Sequence, residues 1–183
     1  MGRSPRGLIA VQADEVERAA PSAELVWYFA FGANMNEHVL VARRRIRPSS
    51  AEPARLLDHQ LAFDAPGLPL FERAFANVHP SPGRVVHGVL YTFAWPDLRR
   101  LDRMEGEGTR YVRTRGSVAR SNGEQVSAWY YRARWARAGR APSRRYLALV
   151  VEAAERWGLP EDYVAHLRLA RSEGGEPPRR SRT

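Results

Sequence analysis

Trp27-Tyr28-Phe29-Ala30-Phe31-Gly32-Ala33-Asn34-Met35-Asn36 runs an apolar, aromatic strand into a glycine and then into residues suited to opening a helix. Strand, tight turn and helix start outline a cradle for a small ligand. Gly32 reaches backbone angles that a side chain forbids and, lacking a Cβ, lets a ligand come close to the main chain. Asn36 is the expected N-cap of a helix over Glu37–Arg45, whose first-turn N–H groups would point to the same place. Such a site favours a carboxylate or a developing oxyanion. The plainer alternative is a buried first strand with a turn after it.

Outward from this stretch, Pro48-Ser49-Ser50 breaks the pattern and Arg55–Phe63 reads as a strand. Ala65-Pro66-Gly67-Leu68-Pro69-Leu70 is apolar but punctuated by prolines and a glycine, as expected of a loop bordering a pocket. Ala74–His79 and Val85–Phe93 are strand-like runs joined by Pro80-Ser81-Pro82-Gly83, which predicts a hairpin with His79 and His87 facing each other. Two histidines without a third ligand make a poor metal site, and no metal is expected. Pro96 opens a helix running to Glu105 and closed by Gly106. Tyr111–Ala119 and Gln125–Arg132 flank an Asn122-Gly123 hairpin turn. Ser143 caps a helix with Tyr146, Leu149, Val150, Ala153 and Trp157 on its apolar stripe, and Pro160 begins a last helix to Arg171. This order predicts an α+β domain with a mixed, largely antiparallel sheet over residues 25–171, preceded by a flexible leader (1–24) and followed by a disordered tail (172–183).

The chain has 183 residues, 44% of them hydrophobic, enough for one domain with a substantial core. No stretch approaches the roughly 20 apolar residues of a membrane helix. The N-terminus lacks a signal-peptide pattern beyond the short Leu8-Ile9-Ala10-Val11, so a cytoplasmic protein is expected. The absence of cysteine excludes disulfides, thiolate nucleophiles and cysteine-ligated zinc, leaving acid, base or backbone chemistry. The net charge of +9 is carried entirely by arginine, which pairs bidentately with phosphate and carboxylate. The arginines are scattered, however, no aromatic and basic RNA-binding motif appears, and Arg43-Arg44-Arg45 falls where an exposed helix face is expected. Nucleic acid is therefore not the expected partner, and nothing in the sequence sets an oligomeric state.

The sharpest anomaly is Glu105. With Leu98 and Leu101 it stands at i, i+3 and i+7 of one helical stripe, so a carboxylate continues an apolar face. Burial and the negative end of the helix dipole both disfavour an anion there, which is the setting in which carboxylates do chemistry. The structural alternative is an ion pair with a nearby arginine such as Arg103, Arg110 or Arg113. Glu107, beyond Gly106, is expected in solvent. No serine-nucleophile elbow, phosphate-binding loop or zinc-protease motif is present.

Four blocks of the chain resemble the gamma-glutamylcyclotransferase family. Tyr28-Phe29-Ala30-Phe31-Gly32-Ala33-Asn34-Met35 is similar to that family's opening Tyr-x-x-Tyr-Gly-Ser-Asn, and Leu101-Asp102-x-x-Glu105-Gly106 with Tyr111 is similar to its Leu-Asp-x-x-Glu-Gly segment. Ser81-Pro82-Gly83 with Gly88-Val89-Leu90-Tyr91 resembles its central hairpin. Pro142-Ser143-x-x-Tyr146 and Gly158-Leu159-Pro160-x-x-Tyr163 resemble its C-terminal helices. The resemblance implies a small mixed β-barrel with packed helices and a cofactor-independent release of 5-oxoproline and a free amine or amino acid from a gamma-glutamyl small molecule. Glu105 would be the catalytic acid/base. Residues Tyr28, Phe29, Ala30, Phe31, Gly32, Ala33 and Asn34 would bind the gamma-glutamyl group, largely through main-chain N–H groups. Tyr131 would close the pocket, with Tyr130 the alternative. Two departures stand out: Phe31 lacks the usual hydroxyl, and Ala33 in place of Ser removes a side-chain hydrogen bond. A rival reading keeps the fold without catalysis, its arginines gripping an anionic ligand or RNA.

Overall fold

A computed structural model describes residues 24–67, 72–137 and 139–170. The leader and tail expected at 1–24 and 172–183 lie outside these residues save Glu24, as do residues 68–70 of the expected proline-rich loop, whose Ala65 and Pro66 instead end a strand. Five strands, β1 (Leu25–Ala30), β2 (Ser50–Pro66), β3 (Ala74–Ala94), β4 (Tyr111–Arg120) and β5 (Gln125–Ala133), close into a barrel in the order β1-β3-β2-β4-β5. Every pairing is antiparallel except β1 with β5, which meet in parallel at Tyr28 and Trp129. Three helices complete the fold: α1 (Trp95–Glu105), α2 (Arg144–Arg156) and α3 (Glu161–Leu169). The expected α+β class with a mixed, largely antiparallel β-barrel and packed helices is the architecture observed.

The alternation of strand side chains divides the core in two. Phe29, Phe31, Leu56, Val78, Leu90 and Tyr130 fill the barrel interior. Tyr28, Ala30, Val89, Tyr91 and Tyr131 face the other way, into a cluster shared with Leu98 and Leu101 of α1 and Val150 of α2. Gly88 permits the tight seam between β1 and β3, since a Cβ there would lie 2.2 Å from the Ala30 carbonyl oxygen.

Two sequence expectations fail on topology. Ala74–His79 and Val85–Phe93 are one continuous strand rather than a hairpin, both halves pairing with β2. The partner strand is long enough to hold both, so Pro80-Ser81-Pro82-Gly83 forms a bulge: His59 pairs with Pro80 and Leu57 with Val85. Gly83, at φ 73°, donates its N–H to Asp58 Oδ1 at 2.9 Å. His79 and His87 consequently do not face each other. His79 is bound to Asp64 at 2.7 Å, while the His87 ring packs on Tyr163 at 4.9 Å.

The second failure concerns the segment after β1. Glu37–Arg45 is not an α-helix capped by Asn36. A 3₁₀ turn over Ala33–Met35 is followed by a π-helical turn over His38–Arg43, closed by the Arg44 N–H on the Val39 carbonyl at 3.0 Å. The Asn36 carbonyl accepts from Val39 and Leu40, but its side chain caps nothing. The elements over Pro96–Glu105, Tyr111–Ala119, Gln125–Arg132 and the last two helices lie where expected, within a few residues at their ends. Gly106 closes α1 in the left-handed conformation, and Ser143 Oγ caps α2 by accepting from the Tyr146 N–H at 3.1 Å.

Candidate active site

The turn after β1 is held by three side chains from two other elements, α2 and β3. Trp157, at the end of α2, donates its indole N–H to the Met35 carbonyl at 2.9 Å, and Tyr91 of β3 donates to the same oxygen at 3.2 Å. From the first turn of α2, Tyr146 places its hydroxyl against the loop, accepting from the Ala76 N–H at 3.1 Å and from the Ala33 amide. A Cβ on Gly32 would come within 3.0 Å of that hydroxyl. A main chain so fixed is preorganised: its dipoles need not reorient when charge develops beside them.

Beneath this turn lies a cavity of about 170 Å³, lined among others by Tyr28, Gly32, Asn34, Glu105, Tyr131 and Tyr146. Glu105 reaches it from the last residue of α1, its side chain 14% exposed. Asn34 Nδ2 spans the site, donating to Tyr28 Oη at 2.8 Å and to Glu105 Oε1 at 3.0 Å. Arg44 Nη2 meets the same Glu105 oxygen at 2.9 Å. Glu105 therefore has an arginine partner, but not one of those nearby in sequence. Arg113 instead pairs with Asp102 at 2.5 Å, and Arg110 lies exposed at the cavity rim with its guanidinium over the Tyr111 ring. Arg44 also departs from the expected exposed arginine run. The π turn closes by an i to i+5 bond, and its side chain is 21% exposed. Glu107 is exposed, as expected of a loop residue beyond α1.

Tyr131 forms part of the cavity wall. Its ring lies 5.9 Å from that of Tyr28, and its hydroxyl donates to Asp102 Oδ1 at 2.8 Å. Tyr130, the alternative, faces the barrel interior, its hydroxyl 3.0 Å from His59 Nε2. Burial, reinforced by the negative charge of Glu105, pushes the Tyr28 and Tyr111 phenols far above their ordinary range. Burial, then Tyr28 and Asp102, do the same to Tyr131. Tyr146 is pushed up to about 12, burial outweighing the amide donors of Ala76 and Ala33. All four are neutral hydroxyls at physiological pH. Of the expected loop residues, Tyr28, Phe31, Gly32, Ala33 and Asn34 line the cavity, whereas Phe29 is fully buried in the barrel and Ala30 belongs to the outer cluster.

Two residues of this site escape sequence reasoning. Arg44 sits within a run of three arginines, and no spacing rule selects the inward one. Tyr146 lies on the apolar stripe of α2 and reads as core. Among the described residues, no group of three or more His, Cys, Asp or Glu side chains could hold a metal ion, and no helix is long and apolar enough to cross a membrane.

Residues 85–167 match the model of the AIG2-like family. The chain is 25% identical over 167 residues to gamma-glutamyl cyclotransferase aclK of Aspergillus oryzae, covering 79% of this chain and 60% of that protein. It is 29% identical over 157 residues to the gamma-glutamylcyclotransferase of Mus musculus, covering 82% and 81%. The chain thus spans less than two thirds of the length of the fungal relative. A solved gamma-glutamyl cyclotransferase structure superposes with a TM-score of 0.73 at 25% identity, over 84% of this chain and 92% of the other. In sequence and in fold the chain is thus similar to gamma-glutamyl cyclotransferases, and part of it matches the AIG2-like family model.

Proposed function

We propose that this protein cleaves a gamma-glutamyl amide by letting the substrate's own α-amine attack its γ-carbonyl, releasing 5-oxoproline and a free amine or amino acid. The observation that carries the reading is the Glu105 carboxylate, largely buried on the same cavity as the Gly32 turn and held there by Asn34 and Arg44. The names and fold of the relatives support the same chemistry. No cofactor is required, since nucleophile and electrophile belong to one molecule.

Glu105 takes a proton from the attacking ammonium and passes one to the nitrogen of the leaving amine as the C–N bond breaks. General acid–base work of this kind is typically worth about 10²–10⁴ in rate. Main-chain N–H groups of the turn other than those donated to the Tyr146 hydroxyl and to the Gly32 and Ala33 carbonyls face the oxyanion of the tetrahedral intermediate, each contributing on the order of 3 kcal/mol in a water-poor site. The cavity also holds the glutamyl chain folded, and well-oriented intramolecular reactions gain up to roughly 7–11 kcal/mol. Its volume of about 170 Å³ is near that of engineered cavities of ~150 Å³ that take up benzene, a scale matched to a five-membered lactam. Tyr131 packs over the site as part of its wall. The protein acts in the cytoplasm on a small molecule.

Incubation with several gamma-glutamyl amino acids and amines, followed by assay of 5-oxoproline, tests the reading. Turnover by the wild type and by Glu107→Gln, with loss of product in a folded Glu105→Gln variant, is expected. Full turnover by Glu105→Gln with Glu107→Gln inactive would show that the wrong carboxylate was chosen. Absence of turnover of any compound, together with RNA binding that falls steeply with salt, would instead favour a binding protein.

A further inference from the structure

Arg44 spends one terminal nitrogen on Glu105, and its Nε is buried with no hydrogen-bond partner. A guanidinium carries five N–H donors in a rigid fork, so one bond to Glu105 leaves most of them to be used. Asn34 is in the complementary position. Its amide nitrogen is engaged twice, by Tyr28 and by Glu105, while its Oδ1 is buried without a partner. Both residues line the cavity. An unsatisfied buried donor or acceptor costs about 1–3 kcal/mol, so two of them at one cavity mark groups whose partners come from a ligand.

The wall is thus a donor beside acceptors. Arg44 brings positive charge, and Glu105 with Asn34 Oδ1 brings negative charge and an open lone pair. That polarity is the reverse of an α-amino acid head, in which an ammonium and a carboxylate sit on adjacent atoms. We propose that Arg44 forms the subsite for the substrate's α-carboxylate, holding it while Glu105 and Asn34 Oδ1 receive the α-ammonium. This deepens the function proposed above and rests on it. Arg44 remains on Glu105 throughout, so one guanidinium fixes both the acid/base and the substrate head. The arrangement selects compounds whose glutamyl α-carboxylate is free, and it discriminates against 4-aminobutanoyl amides, which are the same chain without that group. Arg110 also lines the cavity, but it is exposed at the rim with its charge screened by water.

Binding separates this proposal from the catalytic one. Calorimetry with 5-oxoproline and with 2-pyrrolidinone, which lacks only the carboxylate, is run on the wild type, Arg44→Met and Arg44→Lys, each confirmed folded by its melting transition. The wild type should prefer 5-oxoproline by about 10- to 100-fold, the range expected for a charge-assisted hydrogen bond. Arg44→Met should lose nearly all of that preference, and Arg44→Lys, which keeps the charge but not the fork, should fall between. Turnover should follow, with Arg44→Met slowing both substrate types through the loss of its bond to Glu105 but slowing gamma-glutamyl amides about 10-fold or more beyond 4-aminobutanoyl amides, the excess appearing in KM. A preference that survives in Arg44→Met, or equal slowing of both substrate types, overturns the subsite. Carboxylate-dependent binding without turnover in the wild type would uphold the subsite while refuting the enzyme. No binding of either lactam by the wild type refutes the subsite.

Discussion

Tyr130 and Tyr131 are consecutive residues of β5 with opposite surroundings. Tyr130 turns into the barrel among Phe29, Leu56 and Leu90, where its hydroxyl meets His59. Tyr131 turns outward, where Tyr28 and Tyr91 are likewise buried phenols engaged by a side chain or a carbonyl, and where the cavity opens. One face of the sheet is a nearly pure hydrocarbon core. The other is stabilised by buried polar contacts and lines the candidate site. A small barrel can keep a cavity beside its wall because the interior that holds the strands together is a separate cluster.

Removing side chains from the interior should therefore damage stability far more than chemistry. Phe29 is wholly buried, and Phe29→Ala is expected to lower unfolding free energy by about 3–5 kcal/mol, measured by urea denaturation. The KM of the remaining folded protein should be nearly unchanged. A variant of normal stability with a strongly altered KM would mean that the two faces are not independent. Gly88→Ala attacks the seam between them. Its Cβ would lie 2.2 Å from the Ala30 carbonyl oxygen, a backbone atom that can retreat only if β1 moves. A loss at the upper end of the roughly 1–3 kcal/mol typical of overpacking is expected, together with reduced turnover, because β1 leads into the Gly32 turn.

The interior face was also the more legible in the sequence. Alternating apolar residues and turn signals located the strands, since burial of a strand face imposes a period of two that any reader can find. The barrel's closure and the continuity of β3 were not legible from that period. Pro80-Ser81-Pro82-Gly83 has the composition of a hairpin turn, and only the length of β2 on the other side makes it a bulge. On the site face, Glu105 was found because a carboxylate interrupts an apolar stripe. Its partner Arg44 comes from 61 positions away through a π turn, and local periodicity carries no information about such a contact. Tyr146 was hidden for a different reason. A tyrosine that packs its ring and offers its hydroxyl at the tip is indistinguishable in sequence from one that only packs.

Single hydroxyl deletions sharpen the contrast at smaller amplitude. Tyr131→Phe withdraws a donor from Asp102, which keeps Arg113, and should cost on the order of 1 kcal/mol in stability. Asp102 lies on α1 three residues before Glu105, so kcat/KM should fall several-fold as the proposed acid/base loses part of its support. Tyr130→Phe should cost a similar amount of stability through the lost contact with His59 and leave kcat/KM unaltered. Equal kinetic losses in the two variants would contradict the division of labour between the faces.

The smallest effect is expected at His87, on the outer face but away from the cavity, where its ring packs against Tyr163 of α3. Burial first, and then the positive charge of Arg55 paired opposite it on β2, hold its pKa below the ordinary histidine range, with Asp162 opposing. The sign follows from proton linkage. Below the ordinary pKa of about 6.5 the unfolded chain takes up a proton that the folded protein resists, so stability falls as pH drops through that value. The fall stops below the folded pKa, where both states are protonated. Above about pH 7 the group contributes no pH dependence. His87→Gln should accordingly flatten the decline of melting temperature between about pH 7 and 5 without changing turnover at pH 7. An unchanged slope would mean that His87 protonates as readily under α3 as in the unfolded chain. A change in turnover would extend the site face beyond the cavity to the helix that covers β3.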